Sequence, residues 1–247
     1  MANKVLDFLG FGSMDDFAVP KDRWALNMSV TFCIFITVIT TSWFYEYNSN
    51  IARDGAPDLT PSEWVGVNAV MYFISLWPLA FVLLVEKILF RNEVMPLLGL
   101  KPTPNAVKSK KVIIALFLSA AIIKLGIRLL LQGGREVDFT PLLIAIPNNV
   151  VIVPCEEIVY RGYVQSTMIR RFGDLPGILI TAILFLMVHF PVRILIQSDT
   201  VTQLVFKLAV TLVGGLFFGV FARKDQCIYG SAVLHYALNV CVCIGLL

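Results

Sequence analysis

The sequence predicts an all-α, polytopic membrane bundle of about seven transmembrane helices with an internal polar cavity. Three observations predict it. The 247 residues are 57% hydrophobic and 15% charged, with a mean hydropathy of +0.79; an ordinary soluble domain is roughly 45–50% apolar and about 25% charged. Crossing roughly 30 Å of hydrocarbon takes about 20 apolar residues, and seven runs reach that length: 24–45, 64–89, 112–132, 141–166, 175–197, 203–222 and 227–247. Finally, a few ionisable and amide side chains sit inside those runs, where each charge costs about 2.5–3.5 kcal/mol. Shared burial around one interior space is the arrangement that costs them least.

Residues 1–23 mix Leu6, Phe8, Leu9, Phe11 and Phe17 with charges, which predicts a cytoplasmic segment lying on the membrane surface or fraying from it. The first apolar run is too long for a secretory signal and has no small-residue cleavage site. Short connections between the seven runs predict one integral-membrane domain over 1–247. With the N-terminus placed in the cytoplasm, that side receives Lys4, Lys21, Arg23, Arg91, Lys101, Lys108, Lys110, Lys111, Arg170, Arg171, Arg223 and Lys224, against Arg53, Arg135 and Arg193 opposite. Twelve against three predicts a multi-pass protein of the cell membrane, N-terminus inside and C-terminus outside. The net charge of +3 gives no reason to expect a nucleic-acid partner.

Within the runs, Pro147 and Pro154 predict an interrupted fourth helix, tolerated where it lines a cavity or is buried in protein. Gly215 and Gly219 form a small-xxx-small face suited to close helix packing. Cys33, Cys155, Cys227, Cys241 and Cys243 have neither disulfide-scaffold nor CxxC spacing and read as buried small apolar residues. Glu86, Lys124 and Arg128 read as residues at helix ends or snorkelling to the interface.

The fourth run carries Glu156, Glu157 and Arg161. Glu157 and Arg161 are four apart, on one helical face, and suit an ion pair; Glu156 points elsewhere and needs its own partner. The two histidines of the chain, His189 and His235, lie in the fifth and seventh runs, and Asn239 shares a face with His235. A carboxylate beside an imidazole can hold and deprotonate water. An imidazole N–H and a carboxamide N–H one turn apart can donate to an oxyanion on an attacked carbonyl. These parts describe amide hydrolysis by activated water inside the membrane. Neither HExxH nor GxSxG is present, although Glu156, His189 and His235 also make a three-ligand zinc set.

The strings "EEIVYRG", "FLMVH" and "HYALN" resemble the EExxxR, FxxxH and HxxxN motifs of the CAAX-processing and bacteriocin-processing (CPBP, or Abi) membrane proteases, which include the type II CAAX prenyl endopeptidases. The resemblance covers about residues 140–245 and implies a glutamate-type intramembrane endopeptidase without a cofactor. It implies Glu156 as the base that activates water, His189 sharing that water, His235 and Asn239 as the oxyanion site, and Glu157 with Arg161 as a supporting pair. The implied partners are the lipid bilayer and a membrane-associated peptide or protein: a prenylated C-terminus, a pheromone precursor or a leader peptide. Three other readings remain at this point. One is a non-enzymatic immunity or scaffold protein of the same family, the second a zinc-dependent membrane protease. The third is a proton-coupled transporter, for which the paired repeats usual in transporters are missing from the sequence.

Overall fold

A computed structural model describes residues 24–52, 61–89, 91, 94–101, 140–195 and 200–243. Among them every regular element is helical: α1 (Trp24–Ala52), α2 (Pro61–Leu84), which runs into a π-helical turn (Val85–Leu89), α3 (Val94–Leu97), α4 (Thr140–Glu157), a second π-helical stretch (Ile158–Val164), α5 (Gln165–Phe172), α6 (Asp174–Leu195), α7 (Val201–Asp225) and α8 (Tyr229–Cys243). Three of these helices contain stretches long and apolar enough to cross a membrane: Trp24–Trp43, Asp174–Pro191 and Val201–Asp225. The expected third run at 112–132, Lys124, Arg128 and the segment 1–23 lie outside the described residues.

The helices are apolar on their outer faces as well as their inner ones. On α1, Asn27, Val30, Thr31, Ile34, Val38 and Ser42 form the buried stripe at helical spacing, while Leu26, Phe32 and Ile36 point outward. The same holds for α7, whose Phe206, Val213 and Phe217 are exposed. Such large apolar outer surface suits hydrocarbon surroundings and not water. The chain is a helical membrane protein.

The core joins Val30, Ile34 and Val38 of α1 to Val82 and Val85, Leu98, Tyr160, Tyr163, Met168, Phe185 and Val188. The expected close packing at Gly215 and Gly219 is found. A Cβ on Gly219 would lie 2.7 Å from the Gln165 side chain and 2.9 Å from that of Ile178, and one on Gly215 would touch Ala182. The α7 backbone therefore lies directly on α5 and α6. The start of α6 is tied to the end of α7 by Arg223, whose Nε donates to Asp174 Oδ1. That contact brings the α5–α6 and α7–α8 turns to one end of the bundle. The other end of α7 is closed by a capping box in which Thr200 and Gln203 exchange side-chain and backbone hydrogen bonds.

Three expectations are corrected. Helix α4 runs unbroken through Pro147 and Pro154; the irregularity begins after Glu157, in the π-helical stretch. Neighbouring helices can satisfy the carbonyls that a proline leaves open. Glu86, expected at a helix end or snorkelling to the interface, does lie near a helix end but is fully buried. It sits in the π-helical turn after α2, which carries it inward. Of the cysteines, Cys155 and Cys227 are buried as expected, but Cys33 is exposed, because it follows the outward-facing Phe32 on α1.

The loop after α3 is clamped under the π-helical stretch. Ile228 N donates to Gly99 O at 3.0 Å, Tyr229 OH donates to Leu100 O at 2.9 Å, and Leu98 is fully buried. A Cβ on Gly162 would come 2.5 Å from Leu98 O. Both partners are backbone and neither can rotate away, so Gly162→Ala is expected to destabilise the fold by about 1–3 kcal/mol, the range for overpacking. Thermal unfolding of the detergent-solubilised protein measures this; an unchanged midpoint would contradict the clamp.

Candidate active site

The last turn of α4 delivers two adjacent carboxylates, and the π-helical stretch that follows is buried from Val159 to Val164. Its wider turn places Arg161, fully buried, between two aromatic rings: the guanidinium carbon lies 4.4 Å from the Phe185 centroid and 5.4 Å from that of Phe218. Arg161 Nε is 3.7 Å from Glu157 Oε2. This is charge contact rather than a hydrogen bond, and among the described residues nothing accepts a hydrogen bond from Arg161.

Glu157 makes its close contact elsewhere, with His235 Nδ1 at 2.9 Å. The sequence reading gave Glu157 to Arg161 alone, so this is an addition to that pair. An ionised carboxylate only accepts, so His235 carries its proton on Nδ1 and turns Nε2 towards Glu156, whose Oε2 is 3.7 Å away. The imidazole of His235 stacks on Phe218 at 4.6 Å and meets the edge of Phe185 at 5.6 Å. One histidine thus stands between both glutamates, with its plane fixed by aromatic packing.

His189 comes from α6. Its Nδ1–H donates to Phe185 O, one turn back, at 2.7 Å. A carbonyl can only accept, which leaves Nε2 as the acceptor of the neutral ring. Glu156 and His189 line the same pocket, of about 80 Å³, together with Val38, Ser42, Ile74, Ser75, Pro78, Cys155, Val159, Tyr160 and Val188. His235 and Asn239 are not among its lining residues. His235 reaches the site through Glu156, and Asn239 faces α4, donating from Nδ2 to Asn149 Oδ1 at 2.8 Å.

Four contributors were not singled out from the sequence. Phe185, the first residue of "FLMVH", supplies the carbonyl for His189 and a ring against Arg161 and both histidines. Its place one turn before His189 was the available signal. Phe218 sandwiches His235 and also lines a separate apolar pocket of about 480 Å³ between α7 and α8, with Phe206, Val213, Leu234 and Leu238. Asn149, and its neighbour Asn148, which accepts from Tyr72 OH, were visible only as two amides in an apolar run. Among the described residues no group of three His, Cys, Asp or Glu side chains is placed to hold a metal ion, so the zinc set Glu156, His189 and His235 is not assembled there.

Residues 138–241 match a family model described as type II CAAX prenyl endopeptidase Rce1-like. Comparison with curated proteins and with solved structures finds no match. The matched stretch holds all three motifs and every member of the Glu–His cluster. Residues 138–241 are thus similar to the Rce1-like type II CAAX prenyl endopeptidases, a protease family consistent with the CPBP group.

Proposed function

We propose that this protein is a glutamate-type intramembrane endopeptidase that cleaves a peptide bond of a membrane-associated peptide or protein with an activated water. The single observation that carries the reading is the shared pocket: Glu156 and His189, from different helices, face the same small space. Glu156 is the general base, and His189 Nε2 accepts a hydrogen bond from the same water, holding its lone pair towards the scissile carbonyl. The proton taken by Glu156 is passed to the leaving amine.

The oxyanion that forms is met by His235 and Asn239. With Nδ1 held by Glu157, Nε2 is the ring atom that His235 turns to the site. Glu157 is the orienting group for His235 and the counter-charge for Arg161. The apolar pocket against Phe218 favours a substrate that brings a hydrocarbon surface with it, such as a prenylated C-terminus, a hydrophobic pheromone precursor or a leader peptide.

The protein lies in the cell membrane with its N-terminus cytoplasmic and its C-terminus outside. The contact of Arg223 with Asp174 supports this topology, because it groups Arg170, Arg171 and Lys224 at one end of the bundle, on the side that the lysine and arginine bias assigns to the cytoplasm.

Mass spectrometry of membrane peptides from cells carrying wild-type protein or Glu156→Gln tests the reading. A peptide present only with wild type is the expected product; identical peptide sets would end the protease assignment and favour the immunity or scaffold alternative. Turnover of that peptide is expected to persist in a zinc-stripping chelator. Loss in chelator with recovery on added zinc would move the assignment to a metalloprotease.

A further inference from the structure

The hydrogen bond between α8 and α4 at Asn239 bears on the proposed oxyanion site. A carboxamide has nearly the same shape with its oxygen and nitrogen exchanged, so packing alone does not decide which end faces a substrate. An oxyanion needs the N–H end. With Asn149 presenting its oxygen, Asn239 Nδ2 donates one of its two hydrogens to Asn149 Oδ1 at 2.8 Å, which selects one of the two Asn239 flips and leaves the second hydrogen of the same nitrogen for another acceptor.

The placement of Asn149 agrees with this task. It is buried on α4, seven residues before Glu156, two helical turns along and on the same face. On α8, His235 and Asn239 are one turn apart and both meet α4, His235 at the two glutamates and Asn239 at Asn149. The two helices therefore run antiparallel across this contact, with the catalytic carboxylates at one point and the amide pair at the other. Asn148 accepts from Tyr72 OH, which fastens the same turn of α4 to α2.

We infer that Asn149 is a positioning residue that holds the Asn239 carboxamide with its N–H end towards the developing oxyanion. The inference rests on the proposed hydrolytic reading and adds to it a residue outside the three motifs.

The test uses the full-length protein in detergent or nanodiscs, with a synthetic fluorogenic copy of the peptide whose cleavage Glu156→Gln abolishes. Asn149→Leu keeps the side-chain shape, suits a membrane helix and deletes the acceptor. It is expected to lower kcat about 10- to 100-fold, as lost support of a catalytic group does, with KM unchanged. Asn149→Asp keeps an acceptor oxygen at the same place and is expected to retain most of the rate. In an Asn239→Ala background, Asn149→Leu is expected to cost nothing further, because the group it positions is gone.

Wild-type kcat in Asn149→Leu, or a full multiplicative loss on top of Asn239→Ala, overturns the inference. So does a loss in Asn149→Asp equal to that in Asn149→Leu with melting lowered alike, which marks a purely structural residue. Glu156→Gln separates the two levels. If it is inactive while Asn149→Leu is fully active, only the positioning role fails; if Glu156→Gln is itself active, the hydrolytic reading fails with it.

Discussion

Glu156→Gln is expected to reduce peptide cleavage about 10²–10⁴-fold while leaving the protein folded. That range is what a positioned general base contributes. Gln has the shape of Glu and keeps an oxygen that can accept from water, but it has no basic site at which to take the proton. The contact of Glu156 with His235 is only 3.7 Å long and the side chain lines the pocket, so its replacement by a neutral isostere removes little packing. Turnover and unfolding measured on one preparation separate the two effects: turnover falls, and the melting midpoint stays. Retained turnover would exclude Glu156 as base.

Glu157→Ala is expected to damage both folding and rate. Arg161 is fully buried, and Glu157 is the carboxylate in charge contact with it. Removing one member of a buried pair costs about 3–5 kcal/mol, chiefly from the charge left behind. The rings of Phe185 and Phe218 over Arg161 offset part of this, since a desolvated cation–π contact contributes about 2 kcal/mol. A net loss near the lower end, about 2–3 kcal/mol, corresponds to roughly 4–12 °C in Tm for a chain of this size.

The rate falls for a second reason. Without Glu157, His235 Nδ1 loses its 2.9 Å partner and the ring is free to turn about its own axis. Glu157→Gln separates the two: its amide oxygen still accepts from Nδ1–H, so orientation survives while the charge facing Arg161 does not. Glu157→Gln is therefore expected to melt low yet keep more rate than Glu157→Ala. Normal melting and normal turnover in Glu157→Ala would remove the supporting role from this residue.

The residues of the site were legible in the sequence because the membrane makes polar groups conspicuous. Glu156, Glu157, Arg161, His189, His235 and Asn239 stand out in runs where every charge is costly, and that penalty holds whatever the partners are. Asn149 was not legible, and Phe185 stood out only as the first letter of the FxxxH string, without a role. An amide is a milder exception in an apolar run, and an aromatic ring is none at all. Their roles depend on which helix lies opposite, and spacing along one chain does not carry that.

Glu86 illustrates the same limit from the other side. Its position near the end of an apolar run matches a snorkelling residue, but a π-helical turn rotates it into the interior. The i,i+4 spacing of Glu157 and Arg161 made them neighbours on one helix. It did not reveal that His235, 78 residues away, takes the closer contact.

Composition and run length alone determined that this is a helical membrane protein, since hydrocarbon admits a backbone only when its own groups satisfy one another. Order and spacing of the charged strings determined which side chains to bring together. Tertiary structure decided how they pair: which glutamate holds His235, which carbonyl sets the tautomer of His189, and which amide faces Asn239. Hydrogen bonds are short and directional, so partner choice is settled by ångström-scale helix placement, a quantity that a linear pattern does not contain.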